Sequence, residues 1–182
     1  MERMRENLPM FGLVLMLLLL AVTFASSVPA VLAAENSTTC TVTIRKVGIS
    51  VSPASHDFGY MNLSENKKSW SGTNTFTATN TGNHKENFTI KGTNATDGHG
   101  HTWTLASAVG ADNYVMQTNA YQTGQGTEGS YYNLTTTPET KASSVDNGSS
   151  RYFSIWIFTP TTSTETYYQY SMYVIAGAYS AE

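Results

Sequence analysis

The chain has 182 residues, 13% of them charged and 12% aromatic, with 10 Lys and Arg against 13 Asp and Glu for a formal charge of −3. No large positive field is available to neutralise a phosphate backbone, so nucleic-acid binding is excluded as a first reading. With 40% apolar residues the chain is not disordered, and with one Cys it forms no internal disulfide, so a packed core must hold it together.

Arg3 and Arg5 precede an apolar run from Phe11 to Ala25, and the small residues Ala30-Val31-Leu32-Ala33-Ala34 follow. This is the order of a secretory signal peptide over residues 1–34, cleaved near Ala33 or Ala34. Phe11 to Ala34 is also long enough to span a bilayer as a helix, but Ser26, Ser27 and Pro29 interrupt it and favour cleavage. A pilin-type leader would place a basic residue where Met10-Phe11 stands, and Cys40 lies in no lipobox. Contact with a membrane is therefore expected only through this segment before cleavage. The remaining 148 residues suit one domain, with an N-terminal strand over 35–46 and a β-sandwich body over 47–182.

Helical periodicity is absent from that part, and alternation of period two recurs. Val42 and Ile44 are even while Val47, Ile49 and Val51 are odd, with the change of parity at Arg45-Lys46. One unbroken strand would turn half of these residues away from what the other half buries, so a bulge or a split is expected there. Either the first strand crosses between the sheets of its own sandwich, or residues 39–44 leave the domain and pair with a neighbouring copy. A donated strand gains a backbone ladder and pockets for alternate side chains, and repeated head to tail it builds a filament.

From Trp70, Gly72, Asn74, Phe76 and Ala78 alternate with Ser71, Thr73, Thr75, Thr77 and Thr79, predicting a half-buried strand with a threonine row facing solvent. Asn80-Thr81-Gly82-Asn83 then supplies a turn, and Phe88 and Ile90 alternate with Asn87, Thr89 and Lys91 on the next strand. His101, Trp103 and Leu105 share one face, and Tyr114 and Met116 another. Arg151 to Phe158 is apolar on both faces and reads as one central strand. Pro160 and a Thr/Ser run lead to Tyr168, Tyr170, Met172 and Val174, the cleanest alternation in the chain. The expected fold class is all-β, an antiparallel sandwich of about seven to nine strands.

Val51-Ser52-Pro53-Ala54-Ser55-His56-Asp57-Phe58-Gly59, followed by Phe76-Thr77-Ala78-Thr79-Asn80-Thr81-Gly82-Asn83, resembles the P-x-x-x-x-F-G … F-x-x-x-N-x-G pattern of immunoglobulin-like domains of the ASH type. The end, Phe158-Thr159-Pro160-Thr161 leading into Tyr170-Ser171-Met172-Tyr173-Val174, is similar to the last hairpin of that group. The order of signal peptide, first strand and N-T-G turn also resembles the TasA and archaeal bundling-pilus families, whose subunits join by donated strands. The resemblance implies an immunoglobulin-like sandwich with a structural or adhesive role at the cell surface.

Chemistry-bearing motifs are few. G-x-S-x-G is absent, and Glu128, Glu139 and Asp146 are carboxylates that nothing in their context sorts into a catalytic pair, so no enzyme and no cofactor are expected. Cys40 has no His close in sequence; exported as a free thiol, it is a candidate for cross-linking two chains. Asp97-Gly98-His99-Gly100-His101 is a weak metal candidate: on a strand His99 and His101 would face one way, but no third ligand is assigned. A solvated glycine-rich loop explains the same residues.

After position 34 the chain carries 26 Thr, 17 Ser and 12 Asn, and six N-x-S/T sequons at Asn36, Asn62, Asn87, Asn94, Asn133 and Asn147. These are candidate N-glycosylation sites, in number only modestly above what such a Ser/Thr content produces by chance. Tyr131, Tyr132, Tyr167, Tyr168 and Tyr170 with Trp103 or Trp156 offer a second reading, a platform that stacks on sugar rings as a monomeric carbohydrate-binding or adhesion module. Alternating Tyr on strands also fill core edges and subunit seams. The sequence points first to a secreted structural subunit of an extracellular filament, pilus or surface layer, a homopolymer joined through Thr41, Val42, Thr43 and Ile44, with cell-surface glycans as a further partner.

Overall fold

The computed structural model describes residues 39–166 and 168–181. The signal segment 1–34, Asn36 and Tyr167 lie outside them. Among the described residues there is no helix, and the strands are β1 (Ile49–Ser52), β2 (Asn66–Lys68), β3 (Phe76–Asn80), β4 (Glu86–Gly92), β5 (Ala95–Thr96), β6 (Thr102–Leu105), β7 (Asn113–Thr118), β8 (Tyr132–Asn133), β9 (Glu139–Val145), β10 (Ser150–Phe153), β11 (Ile155–Phe158) and β12 (Val174–Ser180). The described residues are all-β, with more and shorter strands than the alternation predicts.

Three sheets result, in the orders β1-β3-β10, β12-β4-β9 and β2-β11-β7-β6-β5, with β8 paired to β7. All pairings are antiparallel except β6 with β7, which the antiparallel expectation misses. The chain doubles back between these two strands, where Asp112 takes a positive φ of 51° and Thr104 donates its amide to the Asp112 carbonyl at 2.8 Å.

The core is one cluster drawn from all three sheets: Ala78 of β3, Phe88 and Ile90 of β4, Ala142 and Val145 of β9, Tyr114 and Met116 of β7, Phe153 of β10, Ile155 and Ile157 of β11. β4 has the regular form of the predicted pattern, its even residues Glu86, Phe88, Ile90 and Gly92 buried and its odd ones half-buried. Burying a phenylalanine such as Phe88 stabilises by about 1.5–3 kcal/mol relative to exposure. Asn87 and Thr89 are thus not fully on a solvent face; Asn87 Oδ1 accepts the Ser144 amide at 3.0 Å from β9, an edge distorted by register shifts.

The residues 151–158 are not one central strand. Ser154, with no exposure, divides them, so that β10 runs beside β3 and β11 runs between β2 and β7 in another sheet. The reason is a buried polar knot that diverts the ladder. Ser154 N donates to Asn119 Oδ1 at 2.6 Å, Asn119 Nδ2 to Asn74 Oδ1 at 2.8 Å, and Ser154 Oγ to Asn74 Oδ1 at 3.1 Å. Thr118 Oγ1 donates to the Ser154 carbonyl at 3.1 Å, and Ile155 N to Ser69 Oγ at 2.9 Å. Groups that would be costly to bury alone are thereby satisfied.

The strand predicted from Trp70 begins only at Phe76, because Asn74 is drawn into this knot. Thr77 and Thr79 are half-buried rather than solvent-facing, since β3 lies between β1 and β10; Thr79 Oγ1 meets Ser150 Oγ at 2.8 Å. Residues 169–173 keep the predicted alternation of exposure, with Tyr168 exposed against it, but form only an isolated bridge, Ser171 with Thr96, before β12 starts at Val174.

Candidate functional site

The first feature is the root of the N-terminal arm. The compact β unit runs from Thr43 to Glu182, and residues 39–48 form no strand. Val42 and Ile44 are 88% and 79% exposed, and Cys40 is an exposed free thiol. Thr41 and Thr43 are exposed with them. The strand expected over 35–46 is thus not formed in its described residues: the ladder starts only at Ile49, and residues 44–48 are held instead by the N-T-G-N turn. Lys46 N donates to Asn83 Oδ1 at 2.8 Å, Asn83 N returns to the Lys46 carbonyl at 3.1 Å, and Asn83 Nδ2 reaches the Ile44 carbonyl at 2.8 Å. Thr81 N donates to the Gly48 carbonyl at 2.9 Å, and Gly48 N donates to the fully buried Glu86 carboxylate at 2.9 Å.

Gly82 is required at the tip of this turn, because a Cβ there would strike Glu86 Oε1 and the Lys46 carbonyl. The sequence marks Asn83 only as a turn residue, and Glu86 not at all. Glu86 carried a signal all the same: it stands in phase with Phe88 and Ile90, and a carboxylate on an inward face needs a buried donor.

The second feature is a cleft of about 1390 Å³. One wall is the stretch after β1, from Pro53 to Leu63, and the other runs from Tyr168 to Val174; neither is laddered along the cleft. Its floor reaches the core at Phe76, Met116, Phe153, Ile155 and Ile157. β1 and β12 approach one another here. At one end Arg45 Nη1 donates to Ser180 Oγ at 3.3 Å, and at the other Val51, Pro53, Tyr173 and Val174 face the open cleft.

The histidine loop meets the cleft wall through the ring of Tyr168. Asp97 is buried, and its Oδ1 accepts the His99 amide at 2.7 Å and the His101 amide at 3.0 Å, while His101 Nδ1 lies 2.8 Å from Oδ2. Burial opposes ionisation of this carboxyl, but the hydrogen bonds from His99 and His101 prevail and hold it down to about 2. Gly98 and Gly100 take positive φ values of 75° and 108°, so the segment is a loop and the two rings do not line up as they would on a strand. His99 instead stacks on Tyr168 at 4.1 Å between ring centroids. Among the described residues no three His, Cys, Asp or Glu side chains come together to hold a metal ion.

The described aromatic residues of the expected platform fall into three separate places. Trp103 stacks on Tyr170 at 3.9 Å, and both line the cleft with Tyr168. Tyr131 packs edge-on to Trp156, with Lys68 Nζ lying 4.8 Å and 4.4 Å from the two ring centroids and 2.5 Å from Glu128. Burial, with the Glu128 carboxylate nearby, raises the Tyr131 hydroxyl to about 12. Tyr132 lies apart from these, with Lys141 Nζ 4.9 Å from its ring centroid. A single sugar-stacking platform from all these rings is therefore not formed.

The three carboxylates considered for catalysis are each matched to a different lysine: Glu128 to Lys68, Glu139 to Lys141 at 2.8 Å, and Asp146 to Lys85 at 3.2 Å. The sequons also separate. Asn62 and Asn147 are exposed, Asn94 is exposed but its Oδ1 accepts the Leu105 amide at 3.0 Å, and Asn87 is half-buried. Asn133 is engaged at both amide atoms, donating to the Ser107 carbonyl at 3.0 Å and accepting from Gln117 at 2.8 Å. No family model, curated protein or solved structure matches this chain.

Proposed function

We propose that this chain is an exported immunoglobulin-like β-sandwich that serves as a structural subunit of an extracellular filament or surface layer, joined to its neighbour by its N-terminal arm. One observation carries the reading: an apolar arm lies exposed at Val42 and Ile44 on a chain whose cleft is open down to its core. Exposed alternating apolar residues on one copy and an uncovered core on the next are the two halves of a strand-addition contact. Such a contact is heterologous, and repeated head to tail without closing into a ring it propagates as a filament. Export rests on the leader-like order of Arg3, Arg5 and the run to Ala34.

A second reading, a monomeric carbohydrate-binding module, is favoured by Trp103, Tyr168 and Tyr170 in the cleft, although one face of Trp103 is already covered by Tyr170. Deleting residues 35–44 separates the two. A filament subunit loses its polymers in negative-stain images while staying a soluble, cooperatively unfolding domain. A sugar binder keeps its ligand and shows no change in assembly, and that outcome would remove the filament reading.

A further inference from the structure

We infer that the acceptor for a neighbour's arm is the cleft-facing edge of residues 168–176, an alternating segment laddered only from Val174 that lacks a partner on its cleft side among the described residues. This rests on the filament reading. The stretch has the alternation of a strand: Tyr170, Met172, Val174 and Ala176 turn toward the core, and Gln169, Ser171 and Tyr173 are exposed. On one side it is held, since Ser171 and Thr96 exchange backbone hydrogen bonds at 2.8 and 2.9 Å and Tyr173 N donates to Thr93 Oγ1 at 3.0 Å. On the other side lies the cleft, and across it the wall from Pro53 to Leu63, which is likewise without a strand along the cleft. A pattern that so strongly specifies a strand, yet ladders only from Val174 onward, marks a place where the pairing partner is not supplied by the described part of the same domain.

The occupant is residues 39–44 of a second copy. Six extended residues span about 20 Å, close to the length of the 168–174 wall at the same rise. Val42 and Ile44 stand two apart, so a paired arm puts both on one face, toward the floor of Phe76, Met116 and Phe153. The arm from Thr39 to Ile44 carries no charge, and neither does the wall from Tyr168 to Ala176, so pairing these two segments desolvates no ion of either; the carboxylate on the facing wall, Asp57, is exposed. The opposite edge of the same sheet, β9, is a poorer acceptor, being broken by register shifts and by Ser144 at a positive φ of 51°.

The lone native thiol makes the test direct. Full-length secreted chains with native Cys40 are mixed with differently tagged chains carrying Cys40→Ser and one new cysteine, at Tyr173, at Gln169, or at the exposed Ser143 on β9, and treated with a short bis-maleimide. The expected result is a hetero-tagged band at twice the subunit mass for Tyr173→Cys and Gln169→Cys and none for Ser143→Cys. Polymers that depend on the arm but cross-link through Ser143→Cys, or through neither 168–176 position, would overturn this acceptor while leaving the filament reading in place. Chains whose assembly is indifferent to deletion of 35–44 would overturn both.

Discussion

Asp97 illustrates how one side chain can decide what a histidine-rich stretch is for. Its carboxylate gathers the amides of His99 and His101 and the ring of His101, so the H-x-H spacing builds a hydrogen-bonded turn, with His99 laid against Tyr168. A carboxyl held below its ordinary 3.8, near 2, binds its proton less readily folded than unfolded. Its contribution to stability is then present above about pH 4 and is lost as pH falls toward 2. Urea unfolding of the wild type should weaken across that window, and Asp97→Asn should weaken less steeply there; identical pH slopes would count against this role. The sequons make a second residue-scale case. Secreted from a host that glycosylates N-x-S/T, the chain should carry glycan at Asn62 and Asn147 and none at Asn133, whose amide nitrogen is engaged by the Ser107 carbonyl. Peptide mass spectrometry reads this directly, and an occupied Asn133 would show that the β7–β8 pairing opens before modification.

At the scale of elements, the most informative join is between β10 and β11. Asn119 has no exposure and serves both Ser154 and Asn74, so Asn119→Ala strands buried polar groups on each of them. A loss of about 3 kcal/mol is expected, from denaturant midpoints at unchanged slope; a loss under about 1 kcal/mol would mean that water replaces the amide. This join also shows what sequence can and cannot tell. Alternation identified β4 with its inward Phe88 and Ile90, because period two is a local property, whereas the strand expected over 35–46 forms no ladder in its described residues. The division at Ser154 was not legible: a serine amid Phe153, Ile155 and Ile157 looks like a tolerated small residue until Asn74 and Asn119, distant in sequence, are brought to it. The clamp at Asn83 and Glu86 escaped for the same reason, since its partners Ile44, Lys46 and Gly48 lie 37 to 39 positions away. The cleft was out of reach altogether, being a property of where walls are absent. Only the strand-like alternation of Tyr170, Met172 and Val174, in a place where no full ladder forms, connects it back to the sequence.

For the molecule as a whole, the shortage of charge and the abundance of Thr, Ser and Asn take on three roles. Exposed hydroxyls hydrate the surface, half-buried ones such as Thr79 and Ser150 bridge neighbouring strands, and buried ones such as Ser154 join sheets. The last role has a consequence for how the protein comes apart. Two of the three sheets, β1-β3-β10 and β2-β11-β7-β6-β5, would be free to melt separately if only their own ladders held them. The knot at Ser154 ties β3's approach through Asn74, β7's end through Thr118 and Asn119, and β2's neighbour Ser69 to a single buried point. Freeing any one of these elements exposes polar groups of the others, so the penalty for partial opening falls on all of them at once. These two small sheets thereby share one melting event, and the third, β12-β4-β9, is joined to them through the common core at Phe88, Ile90, Ala142 and Val145.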